Sequence, residues 1–150
     1  MENKLQDVLI KSGWYRGRGV DINQYLKLLH DEEYFVFGKA LGFLKEYGEL
    51  KIEYENPRRA GSDLILSISP AEAVRSIFRD VSRRYEKHCG EAFVIVGEIP
   101  PMEMTWYITS SGAFYGGNDD FLIRLGDDFN QALNNIINGV EFEAITIDEE

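Results

Sequence analysis

The chain has 150 residues, 44% hydrophobic and 28% charged, the profile of one ordinary domain that buries roughly two thirds of its unfolded surface around a single core. Cys89 is the lone cysteine, which excludes an internal disulfide, and no apolar run approaches the ~20 residues that span a bilayer. The net charge of −10 is concentrated: up to Met102, 15 Lys and Arg face 16 Asp and Glu, whereas from Glu103 onward ten acids face only Arg124, a balance that disfavours direct contact with nucleic acid or an anionic membrane and attracts a cationic partner.

The opening residues lack the basic and apolar regions of a signal peptide, so a cytoplasmic location is expected. A first helix is predicted over residues 4–12, with Asn3 as N-cap and Leu5, Val8 and Leu9 on one face. After the loop Trp14-Tyr15-Arg16-Gly17-Arg18-Gly19, Asp21 and Gln24 have capping-box spacing, and Val20 and Tyr25 sit at staple positions. The helix they start buries Ile22, Tyr25, Leu26 and Leu29. A third helix over residues 38–47 ends at Gly48, where a left-handed conformation is expected.

Leu50, Ile52 and Tyr54 alternate with charged residues as a strand wet on one face does, and residues 64–68 form the next strand. Ser69, Pro70 and Glu72 make a capping box with proline at the first helical position. Val74, Ile77, Phe78, Val81 and Tyr85 then continue at helical spacing, predicting one long helix that stops at Gly90. Phe93, Val94, Ile95 and Val96 show no polar alternation, the mark of a strand buried on both faces.

The chain is organised around residues 104–126. Met104, Trp106 and Ile108 alternate as a strand, Ser110-Ser111-Gly112 turns, and Ala113, Phe114 and Tyr115 return. Gly116 and Gly117 are predicted to turn the backbone sharply into Asn118-Asp119-Asp120 before the extended segment 121–125. Asp127 or Asp128 caps a helix with the face Phe129, Ala132, Leu133, Ile136 and Ile137, and residues 140–147 form a last strand. The class is α+β: one domain over residues 1–150, a mostly antiparallel sheet of about six strands with helices packed against it.

Catalysis finds little material. Neighbouring helical residues point about 100° apart, so His88 and Cys89 are poorly aimed as a nucleophile pair, and no zinc-ligand spacing accompanies them. Gly17-Arg18-Gly19 lacks the features of a phosphate-binding loop. Asp119 and Asp120 lack the regular oxygen series of a calcium loop, and no catalytic residue, metal or other cofactor is assigned. The row Arg75, Arg79, Arg83 and Lys87 reads as a solvated helix face, and Trp14 and Trp106 as core.

Three blocks give the chain a likeness to a known family. Gly13-Trp14-Tyr15-Arg16-Gly17-Arg18 with Val20-Asp21, then Phe43-Leu44 with Tyr47-Gly48 and Leu50, then Gly112 with Tyr115-Gly116-Gly117, Asp119-Asp120 and Leu125-Gly126 resemble the SUKH superfamily, especially its third immunity subgroup. The chain departs from that pattern at Glu49, where a second glycine is frequent, and at Asn118 and Phe121, where aromatics are. The resemblance implies a non-catalytic cytoplasmic antidote that binds the C-terminal domain of a cognate polymorphic toxin, often a basic nuclease. A surface carrying most of the −9 of the last third would imitate the phosphates such a nuclease binds. Expected partner contacts are Tyr115, Asp119, Asp120, Asp127 and Asp128, with Glu141 and Glu143 outside them. Two other readings stand beside this one: a regulatory adaptor of the cell-wall-synthesis type, and an enzyme with a deep pocket around Asp119, Asp120 and Arg18.

Overall fold

In the computed structural model, which describes residues 3–147, strands β1 (Lys51–Glu55), β2 (Asp63–Ser67), β3 (Phe93–Ile99), β4 (Met104–Thr109), β5 (Phe114–Asn118), β6 (Phe121–Gly126) and β7 (Ile145–Thr146) stand side by side in chain order. Every neighbouring pair is antiparallel. The helices are α1 (Asn3–Lys11), α2 (Asn23–Asp31), α3 (Gly38–Tyr47), α4 (Pro70–Ala73), α5 (Arg79–Cys89) and α6 (Phe129–Ile137). The α+β class is the one expected, with seven strands.

Successive residues of a strand point to opposite faces, and Trp106 and Tyr107 show what each face meets. Trp106 joins Phe114 and Phe129, which pack on Phe43 and Tyr47 of α3. Tyr107 joins Phe93, Tyr115 and Tyr85 of α5. Helices therefore cover both faces, which explains why β3 is apolar along nearly all its length and why Trp106 and Tyr107 are wholly buried.

The long helix expected over residues 70–90 is in fact broken. Ser69 caps the first turn as predicted, accepting the Glu72 N–H at 3.3 Å. The chain then leaves the helix at Val74, and α5 begins only at Arg79. β-Branched Val74 and Ile77 are weak helix formers, and tertiary bonds outcompete continuity here. The Ser76 hydroxyl donates to Glu98 of β3 at 2.7 Å. Arg79 lies over the Tyr34 ring at 4.0 Å and pairs with Glu86 at 2.8 Å.

Helix α2 also starts later than its capping box implied. Asp21 accepts the Asn23 N–H two residues on, at 2.9 Å, so the aspartate closes a local turn and leaves Ile22 as an N-cap without a side-chain bond. Helix α1 includes Asn3, which is therefore helical and not the N-cap expected of it. At the other end, among the described residues, Ile145 and Thr146 alone make up the strand paired with β6, and residues 140–144 are irregular. The sequence alternation that slips at Ala144 could not hold a longer register.

Loop 13–20 clasps the end of α3. The Trp14 indole donates to Glu46 Oε2 at 2.9 Å, the Arg18 guanidinium donates to the carbonyls of Glu46 (2.6 Å) and Gly48 (2.8 Å), and the Val20 N–H donates to the Lys45 carbonyl at 2.9 Å. These carbonyls belong to a helix C-terminus, which leaves acceptors unmatched and carries partial negative charge. Gly48 does not take the left-handed conformation expected of it: its φ is −55°, and the next residue, Glu49, has φ 71°. Gly48 is instead required by close approach, because a Cβ there would collide with the Leu44 carbonyl oxygen.

Glu49 is exposed, and its left-handed backbone is strained in any residue with a side chain. Glu49→Gly is therefore expected to stabilise the fold by about 1 kcal/mol, the relief of that strain exceeding the entropy glycine adds to the unfolded chain. A urea midpoint unchanged or lower than wild type would remove the argument.

The turn after β4 is held by Glu91. Its carboxylate accepts the Ser111 N–H at 2.8 Å and the Ser110 hydroxyl at 3.1 Å. Partial burial acts to raise its pKa, but these hydrogen bonds outweigh burial and hold the carboxyl below its ordinary value. A carboxyl depressed in the folded state adds stability that is present above the unfolded pKa near ~4.3 and lost as pH falls through the folded value. Glu91→Gln should lower the urea midpoint at pH 7, and the gap from wild type should close as the pH drops below about 4. A gap that stays constant across that range would show that ionisation of Glu91 contributes nothing.

Candidate partner-binding surface

Because strand order follows chain order, Asp119, Asp120, Asp127 and Asp128 flank β6 and Glu141 and Glu143 precede β7, at the edge of the sheet where Arg84 and Arg124 also lie. Asn118 and Phe121 face each other across a two-residue hairpin, with Asp119 at φ 46° and Asp120 beside it. The turn thus falls on the two aspartates and not on Gly116 and Gly117 as expected. Both glycines lie within β5 because the sheet has no room for a side chain there. A Cβ on Gly117 would stand 2.7 Å from the Tyr85 ring, and one on Gly116 would stand 2.8 Å from the Met104 sulfur.

The hairpin is anchored from α5. The Tyr85 hydroxyl donates to the Asp119 carbonyl at 2.7 Å, and Arg84 pairs with the Asp120 carboxylate at 3.2 Å. The Ile147 N–H donates to the Asp120 carbonyl at 2.7 Å. Burial pushes the Tyr85 hydroxyl well above its ordinary pKa, so it stays a donor throughout the physiological range. The Asp120 charge is partly matched by Arg84. Asp119 shares with Glu98, Glu103, Ser76 and Asn118 the wall of a cavity of about 270 Å³.

The other expected contacts lie elsewhere on this edge. Asp127 and Asp128 are at the far end of β6, a six-residue strand and so roughly 20 Å from the hairpin. Asp128 is the N-cap of α6, accepting the Gln131 N–H at 2.8 Å, while Gln131 accepts the Asp127 N–H at 2.6 Å and Arg124 pairs with Asp127 at 2.8 Å. Glu141 and Glu143 are exposed in the irregular segment before β7. Tyr115 is not a free aromatic anchor: it is 8% exposed, with its ring 5.3 Å from Phe93 and its hydroxyl beside the Cys89 thiol. The structure thus brings Asp119 and Asp120 together, sets Asp127 and Asp128 apart from them, and places Tyr115 in the core.

The cationic row of α5 is similarly engaged. Arg83 pairs with Glu33 and Asp80, Arg84 with Asp120, and Arg79 with Glu86. Arg75 falls in the break between α4 and α5 and is outside the row. Among the described residues, no group of three or more His, Cys, Asp or Glu side chains is placed to hold a metal ion, and no helix is long and apolar enough to cross a membrane.

Sequence periodicity missed one class of surface residue. Phe78, read as one of the apolar residues at helical spacing in a single long helix, is 83% exposed, and Phe35 is 69% exposed. The helix break that frees Phe78 leaves no periodic signature, although Ser76 and two β-branched neighbours hint at it.

The family model described as SUKH-3 immunity protein matches residues 1–139. No curated protein and no solved structure matches the chain.

Proposed function

The chain belongs to the SUKH-3 immunity protein family, and from that premise we propose that it neutralises a cognate polymorphic toxin by stoichiometric binding to the toxin's C-terminal domain, without catalysis, in the cytoplasm. The partner domain is basic, of nuclease type, and is met by the acid-rich β6–β7 edge. One observation supports this reading: the meander sheet gathers Asp119, Asp120, Asp127, Asp128, Glu141 and Glu143 around its last two strands. A field of one sign speeds association by roughly ten- to a thousandfold at low salt and is screened beyond about 10 Å at 0.1 M.

The test is calorimetric and kinetic titration against the C-terminal domain of the large toxin-like protein encoded beside this chain, at two salt concentrations. Tight one-to-one binding that slows with salt and abolishes toxin activity is the expected result. Asp119→Asn should slow association more than Asp120→Asn, since Arg84 already offsets the second charge. Absence of binding at either salt would replace this reading with the adaptor. Binding indifferent to salt and to both substitutions would remove the phosphate-mimic mechanism alone.

A further inference from the structure

Phe78 violates two local preferences at once. It is the N-cap of α5, where Ser, Thr, Asp or Asn would bond a free helix N–H, and it makes no such bond. It also leaves 83% of a phenyl side chain in water. Neither is forced by the fold, because an N-cap in extended conformation accepts a small polar residue readily. Such conflicts between local preference and sequence are concentrated where a surface serves something outside the chain.

Phe35 supplies a second exposed ring, 69% exposed and 6.4 Å from the ring of Phe37, on a loop tied to the residue after Phe78. The α2–α3 loop is clasped to the start of α5: Arg79, which follows Phe78, lies over the ring of Tyr34, which precedes Phe35, and donates to the Glu33 carbonyl at 3.3 Å. The Tyr34 hydroxyl reaches Ser82 at 3.0 Å. The two phenyl rings thus stand one residue to either side of a rigid contact. Carboxylates surround them in the chain: Asp31, Glu33 and Asp80 are exposed, and Arg83 is shared between Glu33 and Asp80.

We propose that Phe35 and Phe78 form the apolar anchor of the toxin-binding surface, inserting into an apolar recess rimmed by Lys and Arg on the partner. This rests on the toxin-neutralising function proposed above and adds where the short-range contact is made. Desolvated aromatics in the centre of an interface carry binding energy, while rim charges set rate and selectivity. The acid-rich edge then steers, and the α5 start holds.

The experiment uses the full chain and the same toxin C-terminal domain. Phe78→Ser supplies a good N-cap, so its melting temperature should equal or exceed wild type, yet its affinity should fall by about thirtyfold or more through faster dissociation. Phe35→Ser should behave likewise, whereas Ile65→Ser, an exposed apolar side chain on β2 toward the opposite end of the sheet, should leave dissociation unchanged. Wild-type affinity in Phe78→Ser and Phe35→Ser overturns the proposal while leaving the immunity function standing. If wild type itself does not bind the toxin domain, the parent function fails and this proposal with it. Sedimentation that shows a homodimer dispersed by Phe78→Ser assigns the anchor to a second copy and overturns the toxin assignment.

Discussion

Gly117→Ala is expected to lower the stability of the fold by about 3 kcal/mol or more, the cost of forcing a methyl group into a filled core. The added Cβ would lie 2.7 Å from Tyr85 Cε2 and 2.8 Å from its hydroxyl. Tyr85 cannot withdraw cheaply. Its ring is wholly buried against Phe93 and Tyr107, and its hydroxyl holds the Asp119 carbonyl that shapes the hairpin. Gly116→Ala should cost less, because the atoms in its way are the flexible end of half-buried Met104. Urea unfolding of both variants should rank them in that order, and Tyr85→Leu should recover part of the loss in the Gly117→Ala background. Equal costs at the two glycines, or no coupling to Tyr85, would contradict this account.

Arg18→Met should cost about 3 kcal/mol. Arginine makes two charge-assisted bonds to the end of α3, each in the range of ~1.5–3 kcal/mol when partly buried, and its loss leaves those carbonyls without their donor. Methionine keeps the length and apolar stem of the side chain, so packing is largely preserved. Arg18→Lys should restore only part of the stability, since an ammonium cannot present the planar fork that spans the Glu46 and Gly48 carbonyls. A midpoint shift worth less than ~0.5 kcal/mol in Arg18→Met would mean that the clasp is incidental.

Where a local signal agrees with the tertiary environment, it was legible. The Ser69 cap, the alternation of β1, the buried apolar run 93–96 of β3 and the inward face of α6 each follow from residue order and are found as read. Long-range contacts were not legible. Ser76 leaves its helix for Glu98, twenty-two residues on, and no periodicity carries that bond. Gly116 and Gly117 advertise a turn, yet their lack of a side chain serves a sheet that Tyr85 and Met104 crowd from its two faces. The family blocks were seen as separate words in the sequence. Trp14 and Arg18 of the first and the Gly48 region of the second meet as one clasp, which accounts for their occurring together. The acids were visible as a charge run, but their individual duties as helix cap, ion-pair partner or hairpin tip depend on neighbours that only the fold supplies.

The succession of strands in chain order also bears on how quickly the protein becomes active. Each strand pairs only with those before and after it, and the long excursions before pairing resumes are residues 68–92, between β2 and β3, and residues 127–144, between β6 and β7. Sheets assembled from such near neighbours close small loops and fold faster than Greek-key arrangements of similar size. Strands β3 to β6 can associate as they emerge during synthesis, with no wait for a distant partner. For an antidote, the interval between translation and a binding-competent state is a period without protection, and this topology keeps that interval short.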